Sequence, residues 1–354
     1  MTKFASTILD KLILFQNIMK KKIIYIFLIF LFLNELANAQ VKGIGTIGFY
    51  NLENFFDTVD DPNINDEEFL PTGANKWDNE KYANKINNMS RVIADMAGGV
   101  DIFGVSEIEN RKVLEDLVQS PKLRAKRYQI VHFDSPDLRG IDVGLLYRQG
   151  VFQPFAVKKI SFKDPEDPDF KTRDILWVKG LYNGDTLHVA VNHWPSRRGG
   201  KEDKRLMAAA LLRKTVDSVQ AINPQAKIVL MGDFNDDPTN RSIKKVLMAD
   251  NKISKLTPGM LYDAAGDTFK KGYGTLYYRG AWNLFDQIII SQSLLQEHAT
   301  NYHYVNDSFS IFAAKYMQEP SGDNKGAPLR TFSYGVYKNG FSDHYPTFIV
   351  IGKN

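Results

Sequence analysis

Asp233 and Asn235 stand two residues apart, just past the apolar run 228–231 and Gly232. In an extended chain, residues two apart lie on one side. A carboxylate and a carboxamide at a strand end can therefore hold a water, a metal ion or a phosphate oxygen together. For this stretch alone, an Asx-rich turn into Pro238 is the competing account. The pattern recurs, however. Asn51 and Glu53 follow the apolar stretch 44–50, and Glu107 follows 100–105. Asn192 and His193 follow 186–191, Asp286 sits within 282–290, and Asp343 and His344 precede 347–351. Carboxylates and carboxamides suit a hard cation bound through oxygen: Mg²⁺, with Mn²⁺ or Ca²⁺ as alternatives. Histidines beside acids suit proton transfer or contact with an anion. Arg197 and Arg198, just past His193, read either as a solvated pair or as a grip on phosphate. Asp286, in an otherwise apolar stretch, needs a cationic or metal partner, because an unpaired buried carboxylate is strongly unfavourable. We expect that partner to be His344.

These side chains need strands that end in polar tips at one edge of a layered fold. Four apolar residues in a row at 228–231 predict a strand covered on both faces. Further strands are expected at 44–50, 100–105, 128–133, 141–147, 151–162, 175–181, 186–191 and 347–351. Asn183-Gly184 is a hairpin signal. The apolar spacing of Ile86, Met89, Ile93 and Met96 predicts a helix over 81–97, stopped by Gly98-Gly99. Helices are also expected over 113–118, 202–219 and 242–248. Residues 282–290 read as one strand with Asp286 inside it. Residues 251–274 read as loop-rich, and 297–325 as a polar insertion.

The chain has 354 residues with 44% hydrophobic and 12% aromatic content, the profile of a globular protein. It carries no cysteine, which excludes disulfides, thiolate metal sites and a cysteine nucleophile. Lys20-Lys21-Lys22, an apolar run over 23–33, and Ala37-Asn38-Ala39 follow the order of a secretory signal peptide. The competing reading is a membrane anchor, for which the run is short. Residues 1–39 are thus expected to be a signal peptide, with 1–18 a mis-called extension before Met19. Residues 40–354 would form a single catalytic domain, exported to the periplasm or beyond, with no stable membrane association after cleavage. Removing 1–39 takes five basic and two acidic residues from 45 and 41, leaving 40 against 39. Near-neutrality leaves no general hold on a polyanion, so any such substrate must be gripped by a local patch.

Taken in order, Asn51-Leu52-Glu53-Asn54, Glu107, Asn192-His193-Trp194, Gly232-Asp233-Phe234-Asn235, Asp286 and Ser342-Asp343-His344 resemble the motifs of the endonuclease/exonuclease/phosphatase superfamily. That group includes apurinic endonucleases, secreted deoxyribonucleases, neutral sphingomyelinases and inositol-polyphosphate phosphatases. The resemblance covers residues 44–351. It implies an α/β fold, a four-layer α/β/β/α sandwich of two packed mixed β-sheets flanked by helices. It also implies metal-dependent hydrolysis of a phosphoester. Carried over, Glu107 is the principal metal ligand, Asn51 lies close to metal and phosphate, and Asp343 supports the metal. Asp233 orients or deprotonates the attacking water, and Asn235 positions it or the phosphate. His193 touches the phosphate and protonates the leaving oxygen, while His344, held by Asp286, binds a phosphoryl oxygen. Asn192, Arg197 and Arg198 are expected at the substrate, and Glu53 and Asp142 behind the site.

There is no strong match to the damaged-base pocket of apurinic endonucleases, and the Asn192–Arg197 stretch most resembles uncharacterised and secreted bacterial members. The expected substrate is a phosphodiester, nucleic acid first. A phosphatase or sphingomyelinase-like enzyme acting on a small or lipid phosphoester is the alternative, and a non-catalytic binding module the third. A nuclease needs basic and aromatic flanks, for which Arg197, Arg198, Lys201, Tyr277, Tyr278 and Arg279 are candidates. No protein partner is implied.

Overall fold

The computed structural model describes residues 43–297 and 301–353, and Ile44–Lys353 make one compact unit. The expected signal peptide lies outside the described residues. In chain order the elements begin with β1 (Gly43–Phe55), α1 (Asn79–Asp95), β2 (Ile102–Ile108), α2 (Arg111–Gln119), β3 (Tyr128–His132) and β4 (Asp142–Arg148). Next come β5 (Phe152–Ile160), β6 (Ile175–Tyr182), β7 (Asp185–His193), α3 (Glu202–Ile222) and β8 (Lys227–Asp233). Then follow β9 (Ala249–Asp250), β10 (Leu261–Asp263), α4 (Gly266–Lys270), β11 (Leu276–Tyr278), β12 (Ala281–Asn283) and β13 (Asp286–Ser291). The chain closes with β14 (His303–Tyr304), β15 (Ser310–Ile311), β16 (Phe332–Ser333), β17 (Val336–Tyr337) and β18 (Thr347–Lys353).

Two mixed sheets of seven strands form the centre. One runs β14-β18-β1-β2-β4-β3 with β15 also on β18, and the other runs β5-β6-β7-β8-β13-β10-β9. Strand alternation explains how they pack. On β8, Val229 and Met231 point into the core between the sheets, with Ile47, Phe49 and Leu145 opposite. Ile228 and Leu230 point the other way, onto Ala208, Leu212 and Val216 of α3. The first sheet repeats this, with Tyr50, Phe103 and Val105 facing Met89, Ile93, Val113 and Leu117 of α1 and α2. Helices therefore cover both outer faces, as the sandwich expectation required. The sheets come close at Gly104, where a Cβ would sit 2.6 Å from Met231 Sδ.

The helices start where side-chain caps satisfy free backbone N–H groups. Asp78 accepts from Lys81 N at 2.9 Å and Asn110 from Val113 N at 3.1 Å. Glu202 and Asp203 place negative charge in the first turn of α3, complementing the helix dipole.

Three expectations change. The stretch 282–290 is broken: β12 pairs back on β11, and β13 begins only at Asp286. The loop after β8 causes the break, because Asp237 accepts from Leu284 N at 2.8 Å and Phe234 N donates to Phe285 O at 2.9 Å. The expected insertion at 297–325 is instead built into the domain from residue 301 onward. β14 and β15 both pair with β18, and Tyr304 and Phe309 enter the inter-sheet core. The expected helix at 242–248 is a single π turn, Ser242–Val246. No helix among the described residues is long and apolar enough to cross a membrane.

Candidate active site

Register places the reactive side chains in a row. Parallel pairing of β7 with β8 sets His193 opposite Asp233, and antiparallel pairing of β13 with β8 sets Asp286 opposite Asp233. In the other sheet, β1 runs parallel to β2 with Asn51 opposite Ser106, and both strands bulge just beyond. Glu53, Asn54 and Glu107 take positive φ angles of 47°, 47° and 57° in these bulges. Bulges re-aim side chains, and non-glycine residues occupy this region at a cost. Here they turn Glu107 toward the neighbouring sheet's edge.

Asp233 Oδ2 is the hub. It accepts from Asn51 Nδ2 at 3.0 Å and lies 3.6 Å from His193 Nε2 and 3.8 Å from His344 Nε2. Asn51 Nδ2 also reaches Glu107 Oε1 at 3.2 Å, and His193 Nε2 lies 3.8 Å from that oxygen. Asn54 N donates to Glu107 Oε2 at 3.0 Å. Asn235, at φ 51°, donates its backbone N–H to Asp233 Oδ1 at 2.9 Å and its amide to Trp194 O at 2.9 Å. Ser342 Oγ donates to Asn51 O at 2.7 Å and accepts from His344 N at 3.1 Å, tying the Ser342-Asp343-His344 turn to β1. The imidazole of His344 meets Asp286 Oδ2 at 2.7 Å through Nδ1.

The two histidines are electrostatic opposites. Burial works against charge on His344, but Asp286, Asp233 and Asp343 outweigh it and hold the ring well above its ordinary range. Burial, then Arg173, Arg139 and His344, drive His193 well below it. His344 is thus the cation of the pair, and a neutral His193 is suited to hydrogen bonding rather than to proton donation. Burial above all pushes the Asp233 carboxyl up to about 7, with His344 opposing and Asp286 and Glu107 adding to the rise. Behind them lies a second charged layer. Arg330 joins Glu53 Oε1 and Asp343 Oδ2, each at 2.9 Å. Lys85 is buried, and its Nζ donates to Thr331 Oγ1 at 2.6 Å and to Phe341 O. Burial and then Asp343 raise Glu53 to about 7, while burial lowers Lys85 to about 8 against the pull of Glu53.

This donor set fits a hard divalent cation. The carboxylates Glu53, Glu107, Asp233, Asp286 and Asp343 outnumber the cations Lys85, Arg330 and His344, and Asp286 Oδ1 is buried without a partner among the described residues. Glu107 and Asp343 are the more open acids, with side chains 16% and 25% exposed. Asp233, Asp286 and His344 also lie close enough to hold an ion. The hydrogen bond between Asp286 and His344 already occupies two of those three groups, so the more open Glu107 and Asp343 are the better carboxylate ligands. Asn51 departs from its expected role as a ligand: it turns Nδ2 to Glu107 and Asp233, and its Oδ1 accepts from Glu53 N at 2.9 Å.

Two expected substrate residues stand apart. Asn192 is fully buried, donating to Met231 O at 3.1 Å and accepting from Trp194 Nε1 at 3.3 Å, so its amide braces β7 on β8. Arg197 is engaged by its own fold. It donates to Asn235 O, Asp237 Oδ2 and Asn240 Oδ1, each at 2.9 Å, and lies over the Phe285 ring at 4.5 Å. It clamps the loop after β8 rather than offering a free charge. Arg198 does line the cleft, exposed. Asp142 holds His132 Nε2 at 2.9 Å and Ser135 N at 2.7 Å, supporting a wall loop.

Sequence reasoning missed Lys85, Arg139, Arg173 and Arg330. Lys85 had a signal: it lies four residues before Met89 and seven before Val92, on the buried face of α1. Arg173, within Lys171-Thr172-Arg173-Asp174, looks like a solvated charge run.

This fold and this site define a protein class. Residues 46–353 match the model of the Endonuclease/Exonuclease/phosphatase family, and the chain belongs to that family. No curated protein sequence matches it. Among solved structures it is similar to truncated Caenorhabditis elegans TDP2, at 16% identity and TM-score 0.55 over 87% of this chain and 98% of that one. It is also similar to Danio rerio TDP2 complexed with single strand DNA product, at 15% identity and TM-score 0.53 over 88% and 99%. A third is a Bacteroides thetaiotaomicron mannosyl-6-phosphatase, at 17% identity and TM-score 0.53 over 87% and 99%. At such identities the likeness establishes the fold.

Proposed function

We propose that the mature chain is an exported phosphodiesterase that hydrolyses nucleic-acid phosphodiester bonds with a bound divalent cation, Mg²⁺ first. The observation that carries this reading is the shape around the site. Glu107, His193, Asp233 and His344 lie on the floor of a cleft of about 1290 Å³. Pockets built around one small ligand fill roughly 300–1,000 Å³. The rims here are basic and aromatic: Arg139, Lys171 and Arg198 on one side, the β11–β12 hairpin with Tyr278 and Arg279 on another, and Tyr334 at the β16–β17 tip. Tyr278 is 59% and Tyr334 100% exposed, which suits stacking of bases along an extended strand.

When bound, the cation neutralises charge that grows on the phosphoryl oxygens. Burial raises the Asp233 carboxyl to about 7 in the metal-free site, which makes it a basic carboxylate suited to taking a proton from water. Asn235, locked by two hydrogen bonds, fixes the approach to that carboxylate. The His344 imidazolium faces the same point and stabilises developing negative charge. His193 offers a neutral hydrogen bond to the phosphate.

The test is an activity panel on residues 40–354, with plasmid DNA, RNA, sphingomyelin, inositol phosphates and a generic diester, each with Mg²⁺, Mn²⁺ and Ca²⁺. Cleavage of nucleic acid that stops in excess chelator is expected. Turnover confined to monoesters or sphingomyelin would replace this reading with the alternative. Export is tested by N-terminal sequencing of the protein outside the inner membrane, where a start near Gln40 is expected.

A further inference from the structure

The wall of the cleft next to His193 is built around two guanidinium groups sharing one carboxylate. Arg173 is nine-tenths buried. It donates through Nη1 to Asp137 Oδ2 at 3.0 Å and through Nη2 to Trp194 O at 2.6 Å, the residue that follows His193. Its Nε has no partner among the described residues. Asp137 Oδ1 accepts the Arg139 backbone N–H at 3.0 Å and lies 3.7 Å from Arg139 Nε.

The loop carrying Arg139 is pinned from both sides. Asn65 N donates to Leu138 O at 2.9 Å, and Gly140 N to Asp137 O at 2.9 Å. Gly140 takes φ +68°, a left-handed conformation that glycine adopts without penalty. Arg139 thus has a fixed backbone and a side chain 53% exposed on the cleft wall. Its one carboxylate partner among the described residues is already engaged by Arg173, so positive charge remains unbalanced there. Two other arginines of the cleft differ: Arg197 is held by Asp237, and Arg330 by Glu53 and Asp343. The pair also lies near enough to help keep the His193 imidazole uncharged.

We propose that Arg139, positioned by Asp137 and Arg173, forms a second anion subsite that binds a phosphate flanking the scissile one in a nucleic-acid chain. The assignment rests on the phosphodiesterase reading for the scissile phosphate, and its test is separable from it. An exposed guanidinium with a fixed backbone loses little freedom on binding and can engage a phosphate through two parallel hydrogen bonds.

The experiment uses residues 40–354 carrying Asp233→Asn, with Mg²⁺ present so that ligand is bound and not consumed. NMR titrations compare the dinucleotide TpT with pTpT and TpTp, which add a 5′ or a 3′ phosphate. One of the two phosphorylated forms is expected to bind about tenfold more tightly than TpT. Adding Arg139→Ala should bring that ratio to within about twofold, and Arg139→Lys, which keeps the charge and loses the fork, should leave an intermediate value. Equal binding of all three dinucleotides, or a preference that survives Arg139→Ala, overturns the subsite. Failure of the unsubstituted protein to cleave these dinucleotides, with the preference intact, would instead count against the phosphodiesterase reading alone.

Discussion

Asp286 and His344 lie 58 residues apart in sequence and meet through a 2.7 Å hydrogen bond, with the Asp286 side chain fully buried. The pairing resolves two problems at once. A buried carboxylate gains a cation, and an imidazole at the cleft floor is fixed in orientation.

Asp286→Asn should therefore act through His344. Burial opposes the charged ring, and the substitution removes the foremost of the carboxylates that outweigh it. The ring then loses its proton at lower pH, so the alkaline limb of the pH–rate profile moves down. Near pH 8 a loss of about a hundredfold in kcat/KM is expected, the scale of removing one charge-stabilising donor. Combining it with His344→Ala should be far less than additive. An unshifted alkaline limb in Asp286→Asn would separate the pair from catalysis.

Glu107→Gln removes a charge and the oxygen proposed as a metal ligand while keeping the shape of the side chain. Activity should fall about a thousandfold, since a metal contributes several kcal/mol of transition-state stabilisation. The melting temperature should hold or rise, because one acid leaves a crowded anionic cluster. Titration calorimetry with Mg²⁺ should show weakened binding, and unchanged affinity would move the metal elsewhere.

Without metal, the site should make stability depend on pH. Burial leads in raising both Asp233 and Glu53 to about 7 in the folded state. Between their ordinary range near 4 and 7 the folded protein binds more protons than the unfolded chain, so stability falls as pH rises through that window. The melting temperature of chelator-treated protein should be lower at pH 8 than at pH 6. Added Mg²⁺ should recover more at pH 8, where both acids are ionised, and scanning fluorimetry at the two pH values reads the difference.

Arg197→Ala distinguishes a clamp from a substrate grip. Losing its charge-assisted contacts to the loop after β8 should cost about 1–3 kcal/mol of stability. It should also lower kcat through displaced Asn235, because Arg197 holds that residue's carbonyl at 2.9 Å. A raised KM with unchanged melting temperature and kcat would restore the grip.

Much of this protein was legible in its sequence because strand alternation and strand-end chemistry are local. The run 228–231 announced a strand covered on both faces, and β8 is that strand. The polar tips after it, and after the strands leading to Asn51, Glu107 and His193, marked the edge where the cleft lies. The pairing of Asp286 with His344 was also inferable, since the cost of an unpaired buried acid does not depend on topology.

Tertiary structure decided what each polar tip faces. Asn192 and His193 are adjacent, and alternation turns one into the sheet and the other into the cleft. Arg197 and Arg198 are equally basic in sequence, but the acids that engage Arg197 come from a loop about 40 residues away. Arg139 and Arg173 come together only because β4 and β6 belong to different sheets packed face to face, bringing their preceding loops to one wall. Which charges are neutralised and which remain free is a long-range property. It depends on partners that the chain brings together only when it folds.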